Sequence, residues 1–200
     1  MRGFYTLVYG ALTLDLAEPS HPYIKLDGDP SARFSISQPV SIAEVRAANY
    51  LANSIGKYMN ATPGLRSDLD VSTTLDLDFI SLGGPASNFK TQDCLLNRAN
   101  RLVQVDGKTG NLTLRGRALY KSEEDFDYGV ILKIHPSQFP ARTWIACAGR
   151  GEWGTSGAAW FLANKWNEIR KRVGNFPFVV VVSVRPGQDE SAELVEYFLG

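Results

Sequence analysis

A chain of 200 residues, 44% hydrophobic and 21% charged, can bury a core without disulfide or metal staples, and its composition excludes a disordered polymer. Its 21 basic and 21 acidic side chains cancel, so it lacks the overall positive field of a dedicated nucleic-acid binder. It has no apolar run of membrane-span length and no signal-peptide pattern at its start, which makes the cytoplasm the expected location, with no membrane partner.

Phe4–Leu14 is rich in β-formers and predicts one strand. Residues 15–40 hold several prolines and little periodicity; they predict a long loop, with a short strand near Tyr23–Leu26 or Ala32–Ile36. Ser41-Ile42-Ala43-Glu44 is a capping box, and Val45, Ala48, Leu51 and Ile55 then repeat at helical spacing until Asn60–Gly64 stops the helix. Leu75–Leu82 predicts a buried strand that runs into Gly83-Gly84-Pro85-Ala86-Ser87-Asn88, followed by a helix near Phe89–Asn100. Leu102–Val105 and Asn111–Leu119 alternate in strand fashion around Asp106–Asn111, an antiparallel hairpin signal. Gly107-Lys108-Thr109 lacks the upstream glycine of a P-loop and belongs to that turn.

Lys121–Asp127 predicts a solvated charged loop, and Tyr128–His135 another strand. Thr143–Ala148 is short and apolar, the pattern of a fully buried strand. Thr155–Val173 predicts a helix with Ala158, Ala159, Phe161, Leu162, Trp166 and Ile169 on its apolar side. Phe176–Val184 is the most β-prone run in the chain, and Asp189–Leu199 predicts a last helix. The alternation implies an α/β fold: a Rossmann-like three-layer sandwich with a mostly parallel sheet and an antiparallel hairpin excursion around 102–119. All 200 residues form one ligand-binding domain on this reading, and the finish at Gly200 suggests excision from a longer protein, with further domains or a homo-oligomer beyond it.

The most informative motif is Gly149-Arg150-Gly151-Glu152-Trp153-Gly154, a GxGxxG match between a predicted strand and a predicted helix. Glycines permit close backbone approach, and the unpaired amides and dipole of a helix start attract anions. Arg150 can pair with a phosphate, Trp153 can stack on a ring, and Thr155 and Ser156 can cap the helix or donate to an oxyanion. The second turn places Gly83, Gly84, Ser87 and Asn88 in the same kind of setting. If their strands are parallel, both turns face one sheet edge, where α/β ligands sit.

These features predict a nucleotide-binding or sensing domain whose phosphate-bearing small molecule lies against turns 83–88 and 149–157. The first alternative is an enzyme cleaving a glycosidic or phosphoester bond, with Glu152 as the catalytic carboxylate and Asp78 as a further acid–base candidate. The second is a protein-interaction domain in which the glycines serve only the turns. A dehydrogenase fits poorly, because only one strand is predicted after the fingerprint. No cofactor is identified, and no His/Cys/Asp cluster has metal-ligand spacing. Cys94 and Cys147 are predicted to be reduced, buried thiols.

Overall fold

A computed structural model describes residues 7–9, 12–14, 42–59, 65–66, 68, 76–105, 112–115, 117–118 and 125–200. In chain order the elements are β1 (Leu7–Tyr9), β2 (Leu12–Leu14), α1 (Ile42–Met59), β3 (Leu65–Arg66), β4 (Phe79–Leu82), α2 (Phe89–Leu96) and β5 (Val103–Val105). They continue with β6 (Leu112–Leu114), β7 (Arg117–Ala118), β8 (Asp127–Ile134), β9 (Trp144–Gly149), α3 (Glu152–Val173), β10 (Phe178–Arg185) and β11 (Gln188–Leu199). The strands suggested at Tyr23–Leu26 and Ala32–Ile36, the Ser41 half of the capping box and the stop at Asn60–Gly64 lie outside the described residues.

The body of the main sheet has the order β11-β10-β8-β9-β4, and short strands β1, β2 and β3 extend it beyond β4. Within the body only β4 and β9 are parallel; β9–β8, β8–β10 and β10–β11 are antiparallel. The fold is therefore α/β, but the expected mostly parallel, Rossmann-like sheet is corrected to a mixed, mainly antiparallel one. Connection length supplies the reason. Parallel neighbours need a crossover of a dozen or more residues. The link between β8 and β9 (135–143) is shorter and contains no helix, and β10 turns directly into β11.

Two further expectations change. Phe4–Leu14 contains two strands, with β1 antiparallel to β2 and parallel to β4. Asp189–Leu199 lies within strand β11, not a helix. Its Glu, Ala and Leu residues suit a helix in isolation, but β10 offers a valine run that is buried on both faces and needs an edge partner. Pro186-Gly187, with Gly187 at φ +82°, makes the tight turn that brings the two together.

Alternation across the sheet separates two cores. On one face α1 and α3 lay Ala47, Leu51, Phe161 and Leu162 over Leu82, Ile131, Cys147 and Val180. On the other face α2 and the small β5-β6-β7 sheet bring Leu95, Leu102, Val103 and Leu114 onto Phe79, Leu132, Trp144 and Val181. The sheet is thus covered on both sides, and the antiparallel excursion at 102–119 is present as β5–β7. Val45, placed on the apolar side of α1 by its spacing, faces outward. Both cysteines are free and fully buried, one in each core, and burial pushes their thiols far above the ordinary value. Among the described residues no helix is long and apolar enough to cross a membrane.

Candidate functional site

Strands β4 and β9 lie side by side in parallel, with Leu82 opposite Cys147, and the Gly83 amide continues the ladder by donating to the Cys147 carbonyl at 3.1 Å. The two glycine turns therefore leave the same edge of the sheet. After them the chain diverges: α2 packs on one face and α3 on the other. Divergence of neighbouring parallel strands to opposite faces opens a crevice outside their carboxyl ends. The first turns of α1 lie beside both glycine turns, with Glu44 beside Gly83 and Arg46 beside Ser156 and Trp153.

The 83–88 turn is built around Gly83, whose φ is +116°. The backbone there favours glycine, and a Cβ, 2.7 Å from Glu44 Oε1, would also make that carboxylate move. Ser87 is exposed and donates from Oγ to the Gly84 carbonyl at 3.2 Å. Asn88 caps α2: Oδ1 accepts from the amides of Lys90 (2.9 Å) and Thr91 (3.2 Å), and Nδ2 donates to the Leu82 carbonyl. Asp68, buried and distant in sequence, accepts from the Phe89 amide at 2.9 Å. The leading amides of α2 are thus taken by protein oxygens.

The 149–157 turn is tighter than its sequence suggests. Helix α3 begins at Glu152, so Gly154 lies inside its first turn. Thr155 Oγ1 accepts from the Gly149 amide at 3.0 Å, and the Arg150 amide donates to the Tyr128 carbonyl at 3.1 Å. A Cβ on Gly154 would overlap the Tyr128 carbonyl oxygen, and one on Gly149 would overlap the Thr155 amide. The glycines let the start of α3 press directly onto β8.

That contact also determines what sits at the helix start. Asp127 opens β8, is buried, and accepts from the Gly154 amide through Oδ2 at 2.7 Å and from its neighbour Tyr128 through Oδ1 at 2.8 Å. The expectation of a solvated loop at Asp127 is corrected: its carboxylate is an anion supplied by the fold to a helix N-terminus.

Ser156 is fully buried and donates to Asp189 Oδ1 at 2.5 Å. Asp189 also pairs with Arg46 (Nε to Oδ2, 2.9 Å) and accepts from the Tyr50 hydroxyl at 3.0 Å. Arg46 then lies 4.2 Å from the Trp153 ring centre, a cation–π contact. This cluster ties α1, α3 and the β10–β11 hairpin together beside the 149–157 turn.

Of the residues singled out in the sequence, Gly84, Ser87, Gly149, Arg150, Gly151, Glu152 and Trp153 retain exposed or half-exposed surface. Asn88, Gly154, Thr155 and Ser156 are buried and serve contacts within the protein. Among the described residues Glu152 has no hydrogen bond or ion pair, and no group of three or more His, Cys, Asp or Glu is placed to hold a metal. Asp78 sits at the opposite end of β4, where Oδ1 accepts from the Thr143 amide at 2.6 Å and Oδ2 lies 3.9 Å from Arg142. It is remote from the turns.

Burial raises the Asp78 pKa above the ordinary 3.8, against the lowering effects of the Thr143 amide and Arg142. A carboxyl raised on folding contributes stability that is full below its unfolded value and is lost as pH climbs through its native value. The difference in stability between the native protein and Asp78→Asn should therefore vary with pH just above the usual carboxylate range. Urea midpoints across the acidic range test this; parallel curves would rule it out.

Sequence reasoning missed Asp68, Asp127, Arg46, Tyr50 and Asp189. The available signals were thin: an aspartate just before the β8 run, and a Pro-Gly hairpin marker just before Asp189. Compared with models of known families, with curated proteins and with solved structures, the chain matches none.

Proposed function

We propose that this domain binds a small nucleotide-type ligand in the crevice between the 83–88 and 149–157 turns. One observation carries the reading: two adjacent parallel strands end in glycine turns whose helices leave toward opposite faces. The anchoring chemistry differs from that of a bare anion hole. Asn88 and Asp68 occupy the start of α2, and Asp127 occupies the start of α3. A phosphate is therefore assigned to the exposed Arg150 guanidinium and Ser87 hydroxyl, with Trp153 as the stacking surface and Glu152 facing a hydroxyl.

The same capping favours a second reading, in which the glycines serve packing alone and the domain is an interaction module. A thermal-shift panel of nucleotides, NAD derivatives and cyclic dinucleotides separates the two, because a ligand of the native state raises the melting temperature. The binding reading expects a shift for at least one compound, and Arg150→Ala should weaken its affinity roughly tenfold. No shift across the panel at saturating concentrations leaves the second reading. Gly151→Val is a poor probe, since a Cβ there would lie 2.6 Å from Asp127 Oδ2 and would disturb the α3 cap.

A further inference from the structure

The far side of the molecule presents a different surface. β11 is the last strand of the sheet and, among the described residues, pairs as a strand with β10 alone, while Arg115 Nη2 donates to the Leu199 carbonyl at 3.4 Å. Long edge strands are templates for another strand. Here Val195, Tyr197 and Leu199 remain 39%, 40% and 43% exposed. Between β11 and α3 runs an open groove of about 730 Å³, with Trp160, Phe161, Leu194 and Tyr197 in its walls.

The charge carried by this strand itself has one sign, and the cations near it, Arg115 at Phe198 and Arg172 at Tyr197, come from other elements. From Pro186 to Gly200 the chain holds Asp189, Glu190, Glu193 and Glu196 and no lysine or arginine. Asp189 is consumed by Arg46, while Glu190 and Glu193 are exposed. On the opposite wall Arg172 pairs with Glu168 at 3.1 Å and also lies 5.9 Å from the Tyr197 ring centre, while Lys165 lines the same groove as Glu190 and Glu193. A second copy of this strand is a poor occupant in the central register. Two-fold antiparallel pairing centred on Glu193 would set Glu190 against Glu196 and Glu193 against itself, and like charges directly opposite each other are destabilising.

We propose that β11 accepts an extended basic segment of a partner protein as the next strand of the sheet, with lysines or arginines against Glu190 and Glu193 and apolar side chains in the α3 groove. Backbone pairing supplies affinity and the alternating side chains supply selection. This surface is separate from the glycine-turn crevice, and its test is independent of any small ligand.

The probes are two labelled peptides of equal length, one alternating lysine with valine and one alternating glutamate with valine, titrated by fluorescence anisotropy. The lysine peptide should bind at low salt, weaken as salt rises, and slow amide exchange along 188–199; the glutamate peptide should not bind. The double variant Glu190→Lys, Glu193→Lys should lose roughly tenfold in affinity for the lysine peptide and gain affinity for the glutamate peptide, with its melting temperature checked to confirm folding. Equal binding of both peptides, unchanged affinity in the folded double variant, or exchange protection outside β11 would overturn the proposal. Absence of binding by either peptide would also overturn it, and would mean that the glutamates only guard the edge against aggregation.

Discussion

Gly154→Ala is expected to destabilise the fold by about 3 kcal/mol, the upper end of the usual cost of overpacking. The added methyl would overlap the Tyr128 carbonyl oxygen, a backbone atom in the middle of a hydrogen-bonded sheet, and no side-chain rotation relieves it. Either β8 or the first turn of α3 must retreat, and retreat stretches the bond from the Gly154 amide to Asp127. Gly84→Ala is the matched control. A Cβ there meets nothing within 4 Å, and its cost should stay within about 0.5 kcal/mol. Urea unfolding followed by circular dichroism compares the two. Similar midpoints would mean that the glycines of the 149–157 turn are not needed for close packing.

Asp189→Ala is expected to cost about 3 kcal/mol as well, for an electrostatic reason. Its carboxylate pairs with Arg46 and accepts hydrogen bonds from Ser156 and Tyr50, and Ser156 is fully buried. Removing it leaves the serine hydroxyl without this acceptor and frees the guanidinium that lies over Trp153. Asp189→Asn keeps an acceptor for Ser156 or Tyr50 and should lose less. Trp153 offers a second readout, because release of Arg46 alters the surroundings of its indole. An Asp189→Ala variant as stable as the native protein would show that the cluster does not hold α1, α3 and the β10–β11 hairpin together.

Both expectations concern residues whose importance was unevenly legible. The glycine spacing at 149–154 is visible in the chain, because a strand-to-helix turn needs glycine whether it meets a ligand or a neighbouring strand. Which of the two it meets is not visible. The neighbour is β8, and the group at the helix start is Asp127, which in sequence looks like the last member of an acidic run. A carboxylate's role depends on what lies opposite it, and nothing adjacent in the chain reports that.

The sequence by itself determined the elements whose signal is local. The helical period of α3, the valine run of β10, the hairpin at 102–119 and the position of both glycine turns all follow from side-chain spacing and turn chemistry over a few residues. Only the tertiary structure decided the direction of the strands, the conversion of 189–199 from helix former to edge strand, and the supply of internal anions to α2 and α3. These depend on pairings between distant segments. Burial against a partner strand outweighs helix propensities of a few tenths of a kcal/mol per residue. The 149–157 glycine turn is therefore shaped first by its contact with β8.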